Sequence, residues 1–177
     1  REMPTNTVRW GWVIPAILMP LWMSLQAMNP LFSYNKENAE ESLAKLREVV
    51  TETTERGEEV LFIDQRHLLT FGLVGDASLI FNYEVVNLME MAMSGNRTYL
   101  DTFHQELQMH RFGAIIASPQ FLGIKQADES FSEENNTWVK NVSEYLLCEY
   151  EPLMKLKMVR IHVFVPKDEP GKCVFSE

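Results

Sequence analysis

The chain has 177 residues, enough for one domain of ordinary size plus an extra element. Acidic side chains outnumber basic ones 25 to 16, a net charge of -9 that favours solubility and excludes nucleic acid as a partner, because phosphate backbones are held by clustered Lys and Arg. Two cysteines, Cys148 and Cys173, allow at most one internal disulfide; Cys173 lies in a Gly/Pro/Lys-rich tail, so their pairing and the redox compartment stay open.

The first element is the apolar stretch RWGWVIPAILMPLWMSLQAM, residues 9–28, which has no charge between Trp10 and Met23. A helix over residues 8–28 would be about 31 Å long at about 1.5 Å per residue, the thickness of a bilayer's hydrocarbon core. Trp10, Trp12 and Trp22 lie toward its ends, where amphipathic rings prefer the interface, and Pro15 and Pro20 are tolerated better in a membrane helix than in a soluble one. A buried helix of a soluble core is the plainer alternative, but such helices rarely run so long without charge. A cleaved signal peptide fits poorly, since the candidate site Leu25-Gln26-Ala27 lacks the small-x-small pattern. The chain opens on Arg1 rather than Met; unless Met3 is the true start, these residues continue a longer chain, and we read the segment as the last span of a polytopic membrane protein followed by its C-terminal domain. Arg1 and Arg9 precede the span, whereas Lys36 is followed by Glu37, Glu40 and Glu41; the positive-inside bias then puts the domain outside the cytoplasm.

Beyond Pro30 the composition turns polar. Leu43, Leu46, Val49 and Val50 recur at helical spacing before Gly57, which predicts an amphipathic helix connecting the membrane to the domain. EEVLFID predicts a buried strand ending at Asp64, and residues 65–81, with Gly72 and Gly75 but no helical period, predict a long loop with some strand character. Val85, Val86, Leu88, Met89 and Met93 predict one helix; Leu100, Phe103, Leu107 and Phe112 predict a second over residues 99–112. GAIIAS, from Gly113, predicts a second buried strand closed by Pro119. A polar loop leads to a helix over residues 137–147, then CEYEP and VRIHVFVP predict two last strands. The order of elements predicts an α/β fold: one N-terminal transmembrane helix followed by a small α/β domain with a mainly parallel sheet and an antiparallel edge. The organisation is residues 1–34 for the transmembrane helix and flanks, 35–57 for the connecting helix, 58–166 for the domain and 167–177 for a tail. The expected core includes Leu61, Ile63, Ile115, Ile116, Leu146 and Val163.

Ligands of open α/β sheets collect beyond the carboxyl ends of the strands, which selects Asp64, Gln65, Arg66 and His67 after the first strand and Ser118 and Gln120 after the second. The plain alternative is a local Asp64–Arg66 ion pair with His67 packed under the loop. No cluster identifies a reaction, so no residue is assigned as catalytic. Gly72 and Gly75 do not form a phosphate-binding loop, and no G-x-S-x-G surrounds a serine. His104 and His110 fall on different helix faces, and Glu106 and His110, four apart, lack a third ligand in sequence reach, so neither a metal nor any other cofactor is expected. Met89, Met91, Met93 and Met109 read as gap-filling core. Glu149 and Glu151 alternate along a predicted strand, which puts both carboxylates on one face, a pattern of paired acids but also of an exposed edge. Asn96, Asn135 and Asn141 begin N-x-S/T triplets, which matter only in a eukaryotic secretory setting.

VLFIDQRHLLTFG, YEVVNLMEMAMSGNRTYLDTFHQELQMHRFGAIIASP and ENNTWVKNVSEYLLCEYEP resemble the C-terminal soluble domain of large bacterial multi-span membrane proteins that are glycosyltransferase-like or uncharacterised. The resemblance covers residues 60–166. It implies a membrane transferase that moves a sugar from a polyprenyl-phosphate donor, with the catalytic acid on a loop between early membrane helices that this sequence lacks. What it implies here is a domain that binds or positions, with Asp64, Arg66, His67 and Ser118 as the candidate ligand-binding residues. The expected partners are the lipid bilayer and either upstream membrane helices or, for a single-span accessory subunit, other subunits of a membrane complex.

Overall fold

A computed structural model of the protein describes residues 18–20, 22–24, 36–75, 77–157, 159–168 and 173. Most of the predicted span, residues 8–28, lies outside the described residues; residues 18–20 and 22–24 are helical. Among the described residues no helix is long and apolar enough to cross a membrane. The chain divides into two units, Arg1–Glu37 and Asn38–Glu177.

Helix α1, Lys36–Glu55, follows from the apolar spacing: Leu46 and Val50 are buried while the polar positions between them face solvent. It stops at Gly57, whose φ of 77° is open to glycine without strain and lets Glu58 N–H reach back to the Thr53 carbonyl. Strand β1, Glu59–Phe62, follows at once. Its alternate residues enter two different cores, Leu61 and Ile63 on one face of the sheet and Val60 and Phe62 on the other, so the run is apolar without alternation. The rest of the second unit comprises helix α2 (Arg66–Thr70), a 3-10 turn (Phe81–Tyr83), helices α3 (Val85–Met93) and α4 (Arg97–Gln108), strand β2 (Phe112–Ala117), helix α5 (Ser132–Trp138), a π-turn (Val139–Ser143), helix α6 (Glu144–Glu149), and strands β3 (Tyr150–Leu156) and β4 (Ile161–Pro166).

The sheet has the order β1-β2-β4-β3. Leu46, Val50, Leu68 and Val74 pack on one face; Leu88, Phe103, Leu107, Val142 and Leu146 pack on the other. The six expected core residues are all buried.

The sheet is mixed, which corrects the expectation of a mainly parallel one. Only β1 and β2 run parallel; β4 is antiparallel to both β2 and β3. The physical reason is the link between β3 and β4, residues 157–160, far too short for a parallel crossover and long enough only for a hairpin. Local structure differs at four further places. The predicted loop after β1 contains α2, held by burial of Leu68 and ended at Gly72. Phe112 begins β2 rather than ending α4, because the chain turns at His110 with a φ of 50°. The predicted helix over residues 137–147 extends from Ser132 to Glu149 with a π-turn in its middle. Glu149 closes that helix and is buried, whereas Glu151 lies exposed in β3, so the two carboxylates do not share a strand face.

Candidate functional site

Parallel pairing of β1 with β2 puts their carboxyl ends side by side, and there Asp64 meets Ser118. Both carboxylate oxygens of Asp64 accept the Ser118 backbone N–H, at 2.9 and 3.0 Å. Gln65 Nε2 donates to Ser118 Oγ at 3.4 Å, and Gln120 Nε2 to the Ser118 carbonyl at 2.9 Å. Gln120 Oε1 in turn accepts Trp138 Nε1 at 3.0 Å and Ser143 Oγ at 2.8 Å. The structure thus brings together Asp64, Gln65, Ser118 and Gln120 and ties them to the π-turn. Arg66 and His67 are not part of the cluster. Arg66 is exposed and lies 3.7 Å from Glu84, not from Asp64, and His67 is exposed rather than packed under the loop. The cluster is a brace: its carboxylate is committed to a backbone donor, and its amides, hydroxyls and indole satisfy one another.

A larger opening lies between the α3–α4 corner and the α5–π-turn segment. It is a cavity of ≈ 630 Å³, within the range of small-molecule sites. One wall is the polar face of α4, where Arg97, Asp101 and His104 recur at i, i+4 and i+7 beside the buried Leu100, which also lines the cavity, while Phe103 and Leu107 turn into the core. The corner itself is built by Gly95, at φ 65°, and by Asn96, whose side chain accepts Tyr99 N–H at 3.2 Å to cap α4. The other wall carries Asn136, Lys140 and Tyr145. His104 lies flat on Tyr145, ring centroids 3.3 Å apart at 3°, and its Nε2 is 2.8 Å from the Asn141 carbonyl. That carbonyl belongs to the π-turn, an irregularity common at functional sites. Burial pushes the His104 pKa below its ordinary value, against the opposing pull of Asn141 and Asp101, so the ring tends to neutrality. Arg97 and Lys140 are balanced by Asp101 and Glu133, which makes the lining polar, aromatic and without net charge.

Sequence reasoning missed this cavity. Its one signal was the Arg97, Asp101, His104 stripe, which any solvated helix face could show.

Several of the other acid and base residues pair across elements. Arg111 bridges Glu59 at 2.7 Å and Glu106 at 2.6 Å, joining β1, α4 and β2, while His110 lies 3.8 Å from Glu149. Cys148 and Cys173 form a disulfide, with Cα atoms 5.6 Å apart. Their sulfurs lie with a Glu149 oxygen inside 4.8 Å, but bonded to each other they offer no thiolate to a metal.

Comparison with protein families, with curated proteins and with solved structures finds no match to the chain.

Proposed function

We propose that the chain is the membrane-anchored C-terminal part of a polyprenyl-phosphate-sugar-dependent glycosyltransferase, with its α/β domain outside the cytoplasm, binding and positioning an acceptor that carries sugar hydroxyls. The observation that carries the binding role is the ≈ 630 Å³ cavity with its uncharged balance, its carboxamides and its His104–Tyr145 platform. Polyhydroxyl ligands offer many donors and acceptors, no charge and apolar C–H faces, and the lining answers each of these. The transferase assignment rests on the resemblance of residues 60–166, and the anchor on the apolar segment 8–28. The Cys148–Cys173 pair supports the side of the membrane, since disulfides persist in oxidising compartments. We leave the chemistry to other parts of such an enzyme, because Asp64, at the end of β1, is held by the Ser118 N–H.

The test is titration of the purified chain with oligosaccharides, followed by chemical shifts of the His104 and Tyr145 rings. Saturable shifts that are lost in Asp101→Ala support the reading; shifts absent with every sugar class tried reject it. Turnover of a polyprenyl-phosphate sugar by the chain alone, abolished by Asp64→Asn, would instead put catalysis in this domain. A second reading, an accessory subunit of a membrane complex, is favoured by exposed Phe121, Leu122, Ile124 and Phe131 on the segment after β2. It predicts co-purification with unrelated membrane subunits and no sugar response.

A further inference from the structure

Charge is distributed unevenly between the two ends of the sheet. The β3–β4 turn, residues 157–160, lies at the same edge as Asp64 and Ser118, because Leu156 faces Ile161 across the ladder and His162 faces Ala117. Between residues 153 and 165 the hairpin carries Lys155, Lys157 and Arg160 and no acid, in a chain where acids outnumber bases 25 to 16. All three cations are exposed. Of the carboxylates at the same edge, Asp64 is engaged by the Ser118 N–H, Glu84 by Arg66 at 3.7 Å and Glu41 by Lys45 at 2.6 Å, and the first turns of α1 add Glu37 and Glu40. The opposite edge, where α1 ends and β1 begins, carries Glu55, Glu58 and Glu59, of which Glu58 pairs with Arg56 and Glu59 with Arg111, and no cluster of unpaired cations among the described residues. The turn also exposes one apolar side chain, Val159. The turn's sequence is Lys157-Met158-Val159-Arg160, two apolar residues between two cations, and Val159 is 37% exposed.

An independent observation concerns where the chain enters the domain. Ser42, Leu43 and Leu46, in the first half of α1, share a cavity of ≈ 290 Å³ with His67, Leu156 and Val159, so α1 starts at the hairpin's end of the sheet. In the sequence the apolar segment ends at Met28, eight residues before Lys36, a link of at most about 28 Å when fully extended.

We propose that this edge, with the tip at residues 157–160 foremost, is a docking surface for an anionic lipid bilayer: Lys155, Lys157 and Arg160 sit among the headgroups, and Val159 enters the interface. Clustered cations beside a membrane segment are attracted to anionic headgroups, and apolar side chains between them gain by leaving water. The proposal rests on the membrane anchorage proposed above and not on the sugar-binding cavity.

The experiment uses the full chain with Val159→Cys, labelled with an environment-sensitive NBD fluorophore and reconstituted in lipid nanodiscs. In discs containing phosphatidylglycerol the emission brightens and shifts to the blue; the change is lost in high salt and in Lys155→Gln/Lys157→Gln/Arg160→Asn, where Asn suits the φ of 53° at that position. A label that stays in water in anionic discs overturns the proposal. An equal response in purely neutral phosphatidylcholine discs overturns the role given to the cations. A chain that does not enter discs overturns both the anchorage and the docking surface, whereas a blue-shifted label on a chain that binds no sugar overturns only the cavity reading.

Discussion

Asp64 shows how a residue can be correctly placed from sequence and still have a different job. It stands at the carboxyl end of β1, where ligands of α/β folds collect, but both its oxygens accept the neighbouring strand's Ser118 N–H. Asp64→Ala leaves that half-buried donor without a partner and is expected to cost about 1–3 kcal/mol, while Asp64→Asn keeps an acceptor and costs less. Urea unfolding of the two variants measures the difference; equal losses would show that the brace does not depend on the acceptor. Gly113 carries a different constraint. A Cβ there would overlap the side chains of Glu58 and Thr53, the residues that turn α1 into β1. Gly113→Ala should therefore destabilise by about 1–3 kcal/mol, as overpacking usually does, and the same unfolding assay checks it.

Among the elements, those whose pattern matched a period were legible. α1, α3 and α4 follow apolar spacing, and β1, β2 and β4 follow short apolar runs, so most of their core is legible in the pattern; Val86, Met93 and Met109 fit the pattern but are exposed, because the helix faces that carry them meet no other element. What failed was decided by tertiary contacts or by turn length. α2 is a single short helix that depends on Leu68 finding the second core, and β4 reversed direction because four residues joined it to β3. The helical cavity was illegible because polar residues on α4 and on the π-turn meet only after α4 and α6 pack on the same face of the sheet. The disulfide also needed the fold: sequence left Cys148 and Cys173 open, and the end of α6 comes within 5.6 Å of the tail, Cα to Cα. The cross-link closes a loop with a sequence separation of 25 residues, for which chain entropy gives about 3.5 kcal/mol. Cys148→Ser/Cys173→Ser should lower the unfolding free energy by that order, and a reductant should reproduce the loss in the parent chain without adding to it in the variant.

At the scale of the whole molecule the ionisable groups set a window of pH in which the fold is most stable. His104 is held below its ordinary pKa of 6.5, chiefly by burial, and His162 is held below it by burial and by Lys155. As the pH falls below 6.5 the unfolded chain takes up these protons first, so it binds more protons than the folded chain and stability declines through the lowered folded values. The tyrosines limit the other side. Burial raises Tyr99 to about 12 and raises Tyr83 and Tyr150 as well, so above the ordinary value of 10 the unfolded chain loses protons first and stability falls again. The expected profile is a plateau between those limits with a decline on each side. Acid also brings the chain toward its isoelectric point of ≈ 5.0, where repulsion between copies vanishes, so aggregation must be separated from unfolding. Denaturant midpoints at low protein concentration, taken at about pH 7.5 and about pH 5.5, should differ in the parent chain and converge in His104→Gln/His162→Gln, because the amides carry no charge at either value. If the double variant lost as much stability in acid as its parent, the carboxylates rather than the two histidines would govern the acid limb.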